Sequence, residues 1–238
     1  MRFHRGRELR VRLFLLRTVA IGFMALFGGA GVSASAETPA PNVAGQQPAP
    51  NAAEIVTIRG WRSAEFGMTM DQVKQAIRRD FPASLDKAVS EQNAVEGTTS
   101  LSIGVVDLLP ESGKSKVVYI FGYKTKKLIQ INIIWGGQDS GKIKPQMAID
   151  LANQLRIYLI SQRYKPEGLI SNATLPDGSI MVFRGVDAAA HQTMLLLAGV
   201  KLENGEAKEI PKVSVLLRLS YIMDGEHPDI YTIPQGQF

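Results

Sequence analysis

The chain has no cysteine. That removes disulfides, thiolate metal sites, a cysteine nucleophile and a lipid carried on a cysteine after leader cleavage. Histidine is nearly as scarce, with only His4, His191 and His227 in 238 residues. No apolar run reaches the roughly 20 residues that a membrane-spanning helix needs. There is no G-x-S-x-G nucleophile elbow and no H-E-x-x-H zinc helix. The glycine-rich stretch at 135–141, WGGQDSG, lacks the Gly-Lys-Ser/Thr ending of a phosphate loop and reads as a linker. These absences leave no cofactor and no metal expected, and no catalytic residue signalled.

An excess of positive charge is also missing, although the formal net charge of +5 advertises one. Arg2, Arg5, Arg7, Arg10, Arg12 and Arg17 crowd the first residues, against Glu8 alone. Without that stretch the 27 basic and 22 acidic residues become 21 of each. A neutral body gives no electrostatic case for nucleic acid, which needs a clustered cationic excess. One local group remains, Lys114, Lys116, Lys124, Lys126 and Lys127. It reads as lysines that guard sheet edges.

What the chain has in quantity sits at its start. The arginines precede an apolar run at 18–27, TVAIGFMALF, and small residues then lead to Ala34-Ser35-Ala36. Charge, apolar run and A-x-A site in that order read as a secretory signal peptide over 1–36. The expected location is the periplasm, or outside the cell. The alternative is an uncleaved leader kept as a tether. Residues 37–53, ETPAPNVAGQQPAPNAA, hold four of the twelve prolines and read as a disordered spacer.

Two similar halves are expected over 54–238, which is long enough for one compact domain. In 54–140, Thr69 and Gln72 form a capping box. Val73, Ala76, Ile77 and Phe81 follow at helical spacing, and Pro82 stops the helix. Three alternating runs come next: one through Leu101, Ile103 and Val105, one through Val117, Tyr119, Phe121 and Tyr123, and one through Ile129, Ile131, Ile133 and Trp135. In 141–238 a helix over 145–164 is expected, with Met147, Leu151, Leu155 and Tyr158 as its buried stripe. Strands are expected at 180–183, 193–200 and 213–223. The predicted fold class is α+β: two tandem units, each one helix packed on a three-stranded antiparallel meander.

Residues 66–73, FGMTMDQV, give the pattern F-G-M-T-x-x-Q-V at the start of a capped helix. This resembles the helix start of the SmpA/OmlA lipoproteins of outer-membrane assembly, whose architecture is shared with β-lactamase-inhibitor proteins. The resemblance implies helices packed on an antiparallel sheet, and action by protein binding. The lipid-bearing cysteine of those lipoproteins is absent here.

Two polar sites merit weighing as chemistry. His191 and His227 are the two histidines of the body, and with nearby carboxylates either could serve as the base of a hydrolytic site. Residues 224–229, DGEHPD, gather three carboxylates and an imidazole, but Asp-Gly and His-Pro favour a solvated turn. Tyr119, Phe121, Tyr123 and Trp135 share adjacent strands. They are core if a helix covers them and a partner surface if none does. The expected function is therefore a soluble, non-catalytic protein-binding module of the cell envelope, with an envelope protein as partner, no nucleic acid and no stable membrane insertion. The alternatives are an exported hydrolase using His191 or His227, and a binder of a small apolar ligand.

Overall fold

The computed structural model describes residues 55–138, 140–204, 206–234 and 236–237. The leader and spacer expected over 1–36 and 37–53 lie outside the described residues. The first elements are a tiny hairpin of β1 (Gly60–Trp61) and β2 (Ala64–Glu65), then α1 (Met70–Asp80). The capping box forms. Gln72 N donates to Thr69 Oγ1 at 3.3 Å, and Thr69 N donates to Gln72 Oε1 at 2.8 Å. It satisfies two donors that a helix start leaves without partners. Arg62 stacks on Trp61 and Phe81, while Ser63 donates to Asp80 through both its amide and its hydroxyl. Those contacts clamp the first hairpin to the end of α1.

After a 3₁₀ turn at Leu85–Lys87 come β3 (Val89–Gln92), β4 (Thr99–Val106), β5 (Lys114–Phe121) and β6 (Leu128–Gly136). Next is α2 (Pro145–Ser161), then β7 (Ile170–Thr174), β8 (Ile180–Val186), β9 (Gln192–Ala198), β10 (Val200–Glu203), β11 (Glu206–Glu209) and β12 (Leu216–Ile222). Eight of these strands form one antiparallel sheet in the order β3-β4-β5-β6-β12-β9-β8-β7, with β10 and β11 a separate hairpin.

Two separate three-stranded units are therefore the wrong description, and α+β is the wrong class. The protein is mostly β, with two α-helices among the described residues. The reason is the pairing of β6 with β12. Leu219 sits opposite Ile133, and Leu217 opposite Trp135. Neither strand ends at an edge, so the two strand sets fuse. Gly136 permits the junction, because a Cβ there would lie 2.3 Å from the Val215 carbonyl oxygen, and its φ of 76° suits glycine. Lys114 and Lys116 are also not edge guards, since β5 lies between β4 and β6.

A single core lies between one sheet face and both helices. Val73, Ala76 and Ile77 of α1 and Leu151, Leu155 and Leu159 of α2 join Tyr119, Ile133, Phe183, Leu195 and Leu217 in it. The buried stripe of α2 is Ala148, Leu151, Ala152, Leu155 and Leu159. Met147 and Tyr158, expected inside, lie outside at 36% and 58% exposure. The helix has Pro145 in its first turn and no side-chain cap, so packing holds it in place.

One core predicts one transition. In urea, fluorescence of Trp61 and Trp135, both N-terminal to α2, is expected to share a midpoint with hydrogen exchange at β8 and β9. Leu217→Ala, at the shared seam, should lower stability by about 3 kcal/mol and move both readouts together. Separate midpoints would mean that the two halves fold independently.

Candidate functional site

The β8–β9 turn builds the most ordered polar group. The buried carboxylate of Asp187 accepts four hydrogen bonds. Oδ1 takes the amides of Ala189 and His191 at 2.8 and 2.9 Å. Oδ2 takes the amide of Ile58 at 2.9 Å and faces His191 Nδ1 at 3.0 Å. Asp187 thus ties the first described residues, through Ile58, to the hairpin and fixes the imidazole, whose ring packs against Phe66. In the neutral ring, a carboxylate at Nδ1 favours the tautomer with its proton on that nitrogen.

His191 and His227 line the same cleft, of about 560 Å³, with Glu167, Arg184, Asp224 and Glu226. The register explains the meeting. His191 precedes β9, His227 follows β12, and Gln192 pairs with Ile222 across those strands. The two histidines are unequal, however. The His191 side chain is 22% exposed and that of His227 is 85% exposed. Among the described residues, no serine, threonine or tyrosine lines the cleft. Among the described residues, no group of three or more His, Asp and Glu side chains could hold a metal ion.

Residues 224–229 do not act as one cluster. Asp224 Oδ1 accepts the amides of Glu226 and His227, which makes a local turn. Asp229 points away to the β5–β6 turn. There it accepts from Lys124 N at 2.9 Å, Thr125 N at 2.9 Å and Thr125 Oγ1 at 2.6 Å. Its backbone oxygen takes the amide of Tyr123.

The four aromatic candidates divide. Tyr119, Phe121 and Trp135 are buried in the helix-covered core, so they form no partner surface. Burial pushes the Tyr119 phenol above its ordinary range, and the Trp135 indole N–H has no partner. Tyr123 lies past the end of β5, edge-on to Tyr231.

Sequence reasoning missed the opposite sheet face. Both helices pack on one side, and no described helix covers the other. Cross-strand neighbours define a row over that second face: Gly104, Lys116, Ile134, Arg218, Leu196 and Met181. Lys116, Ile134, Arg218 and Leu196 are half-buried. The next row, through Ser102, Val118, Asn132 and Ser220, is buried. Arg218 Nε is shut off from solvent without a hydrogen-bond partner. The signal was present in the alternation of LLRLSYI, but alternation alone gives a residue's face and not its surroundings.

No family model, no curated protein and no solved structure matches this chain.

Burial pushes the Asp229 carboxyl up, but the hydrogen bonds from Thr125 and Lys124 outweigh it and hold the carboxyl below the ordinary range. A lowered folded value gives stability that is present above the unfolded value and is lost as pH falls through the folded one. The stability gap between wild type and Asp229→Asn should be full above about pH 5 and shrink toward pH 2. Urea midpoints across that range check it, and a gap independent of pH would contradict it.

Proposed function

We propose that this is a non-catalytic protein-binding module, exported as a soluble protein to the periplasm and recognising an envelope protein through the helix-free face of its sheet. One observation carries the reading. Both helices are spent on one side of an eight-stranded sheet, leaving Ile134, Leu196 and Met194 half-buried on the other. A sheet face that keeps apolar side chains without a helix over them is suited to docking a partner. The arginine-rich leader and its A-x-A site support export, and the F-G-M-T-x-x-Q-V resemblance to the SmpA/OmlA lipoproteins points the same way. No described helix is long and apolar enough to cross a membrane.

A photo-crosslinking residue at Leu196 should yield a discrete protein adduct in the envelope fraction, and the same residue at Arg79 on α1 should not. The adduct should disappear when Met194→Asp is added. Equal adducts from both positions, or none, would remove the reading.

A second reading has its own observation: His191 and His227 share a cleft, and Asp187 orients His191. An exported hydrolase built there would use His191 Nε2 to activate water, since no hydroxyl side chain among the described residues lines the cleft. It predicts turnover of small esters, amides or phosphoesters that falls at least about 100-fold in His191→Gln. Absent turnover, or turnover untouched by that change, eliminates the hydrolase. The third alternative, an apolar ligand held between sheet and helix, finds that space filled by Leu151, Leu155, Leu159, Phe183 and Leu195.

A further inference from the structure

The helix-free face has a chemical bias that goes beyond its availability. Its strand-borne charges, by register, are Lys114 and Lys116 on β5, Arg218 on β12 and Arg184 on β8. Among the described residues, the one acid in those strands on that face is Glu91, on the outermost strand β3. The six strands from β4 to β8 that make the middle of the sheet present cations, apolar groups and neutral polar side chains such as Ser102, Asn132 and Ser220 there, and no carboxylate. The neutral total charge of the body hides this, because the acids are placed elsewhere.

Arg218 is the centre of the bias. It stands between Ile134 of β6 and Leu196 of β9, on a strand in the middle of the sheet. Its Nε is sealed from water and has no hydrogen-bond partner among the described residues. Burial pulls its proton affinity below the ordinary arginine range. A half-buried cation with a dry, unpartnered Nε costs stability, and a Met or Leu of similar length would fit the same slot without that cost. Residues that lower stability with no structural return mark functional sites.

We infer that Arg218 is the anchor of a docking site for an acidic segment of a partner protein, a carboxylate flanked by apolar side chains. The inference rests on the protein-binding reading above and names the chemistry of its partner. The carboxylate supplies the missing counter-charge, and Ile134, Leu196 and Met194 take the apolar flanks. Lys116, two strands away in the same row, attracts the same sign of charge. The basic leader of this chain, with six arginines and one acid, has the wrong sign to fill the site. An anionic membrane is also a poor occupant. A plane of headgroups meets projecting lysines, whereas Arg218 needs a side chain that reaches down between Ile134 and Leu196.

The test uses the chain from Glu37 onward and three labelled amphipathic peptides with the same leucines. Their polar positions are all Glu, all Gln or all Lys. The Glu peptide should bind at least about tenfold more tightly than the Gln peptide, with an affinity that falls as salt rises, and the Lys peptide should not bind. Arg218→Met should abolish the Glu preference while leaving the melting temperature equal to or above that of wild type. Arg218→Lys should keep part of the preference. Equal binding of the Glu and Gln peptides overturns the inference. So does an unchanged preference in Arg218→Met, or Arg218-dependent binding to phosphatidylglycerol vesicles in place of the peptide. A drop in melting temperature in Arg218→Met also overturns it, because the residue would then have a structural role. The Leu196 crosslink separates the two levels. An adduct undiminished in Arg218→Met removes the acidic anchor and keeps the binding module, whereas no adduct in wild type removes the binding module itself.

Discussion

The antiparallel pairing of β6 with β12 is the contact on which the rest of this structure depends. It joins two strands that lie far apart in the chain, over the registers Leu216 with Gly136 to Ile222 with Gln130. Without it, each set of strands would have a long, apolar edge, which is a hazard for aggregation. With it, the last strand of one set becomes the neighbour of the last strand of the other, and the sheet grows to eight strands. Both helices then fall on one side. Leu217 and Leu219 complete a core to which α1 and α2 both contribute. The helix-free opposite face follows from that choice, because α1 and α2 both pack into the core on the other side.

What could be read in advance was local. The capping box at Thr69 and Gln72 depends on residues three apart and forms as expected. The alternation through 117–121 and 131–135 places Val117, Tyr119, Ile131 and Ile133 on the core side, because period two is a property of the strand itself. The elements that escaped lacked such a pattern. β3 is Val-Ser-Glu-Gln at an edge, β11 is Glu-Ala-Lys-Glu, and β1 and β2 are two residues each. Their pairing comes from neighbours and not from their own composition. The α2 stripe was misplaced for a related reason. A helix with apolar residues on several faces admits more than one stripe, and Ala148 and Ala152 are chosen over Met147 and Tyr158 because small residues let α2 approach the sheet.

The polar candidates show the same division. Asp187 and His191 are four residues apart, a spacing that a tight β-turn converts into a bonded pair. His227 joins them only because β9 and β12 are neighbours, which no local signal announces. Residues 224–229 looked like one acidic cluster, yet the chain turns through them and sends Asp224 and Asp229 to different partners. The aromatic strand face was open between core and surface, and the helices decide it for Tyr119, Phe121 and Trp135. Lys114 and Lys116 changed meaning for the opposite reason. Their strand has neighbours on both sides, so the lysines belong to a face and not to an edge.

The cleft and the helix-free face differ in what their polar groups lack. At the cleft, Asp187 is satisfied four times over and His191 is held by it, so the group is complete without any ligand. A satisfied network of this kind rigidifies a hairpin and ties down the segment at Ile58, whatever else it does. On the helix-free face Arg218 is incomplete. Folding has removed water from its Nε without supplying a partner among the described residues, at a cost that the β6–β12 seam and the shared core are able to carry. A carboxylate brought to that side chain would relieve the deficit, and this asymmetry supports the proposed reading of the face as a recognition surface: His191 has Asp187, whereas Arg218 Nε has no partner among the described residues.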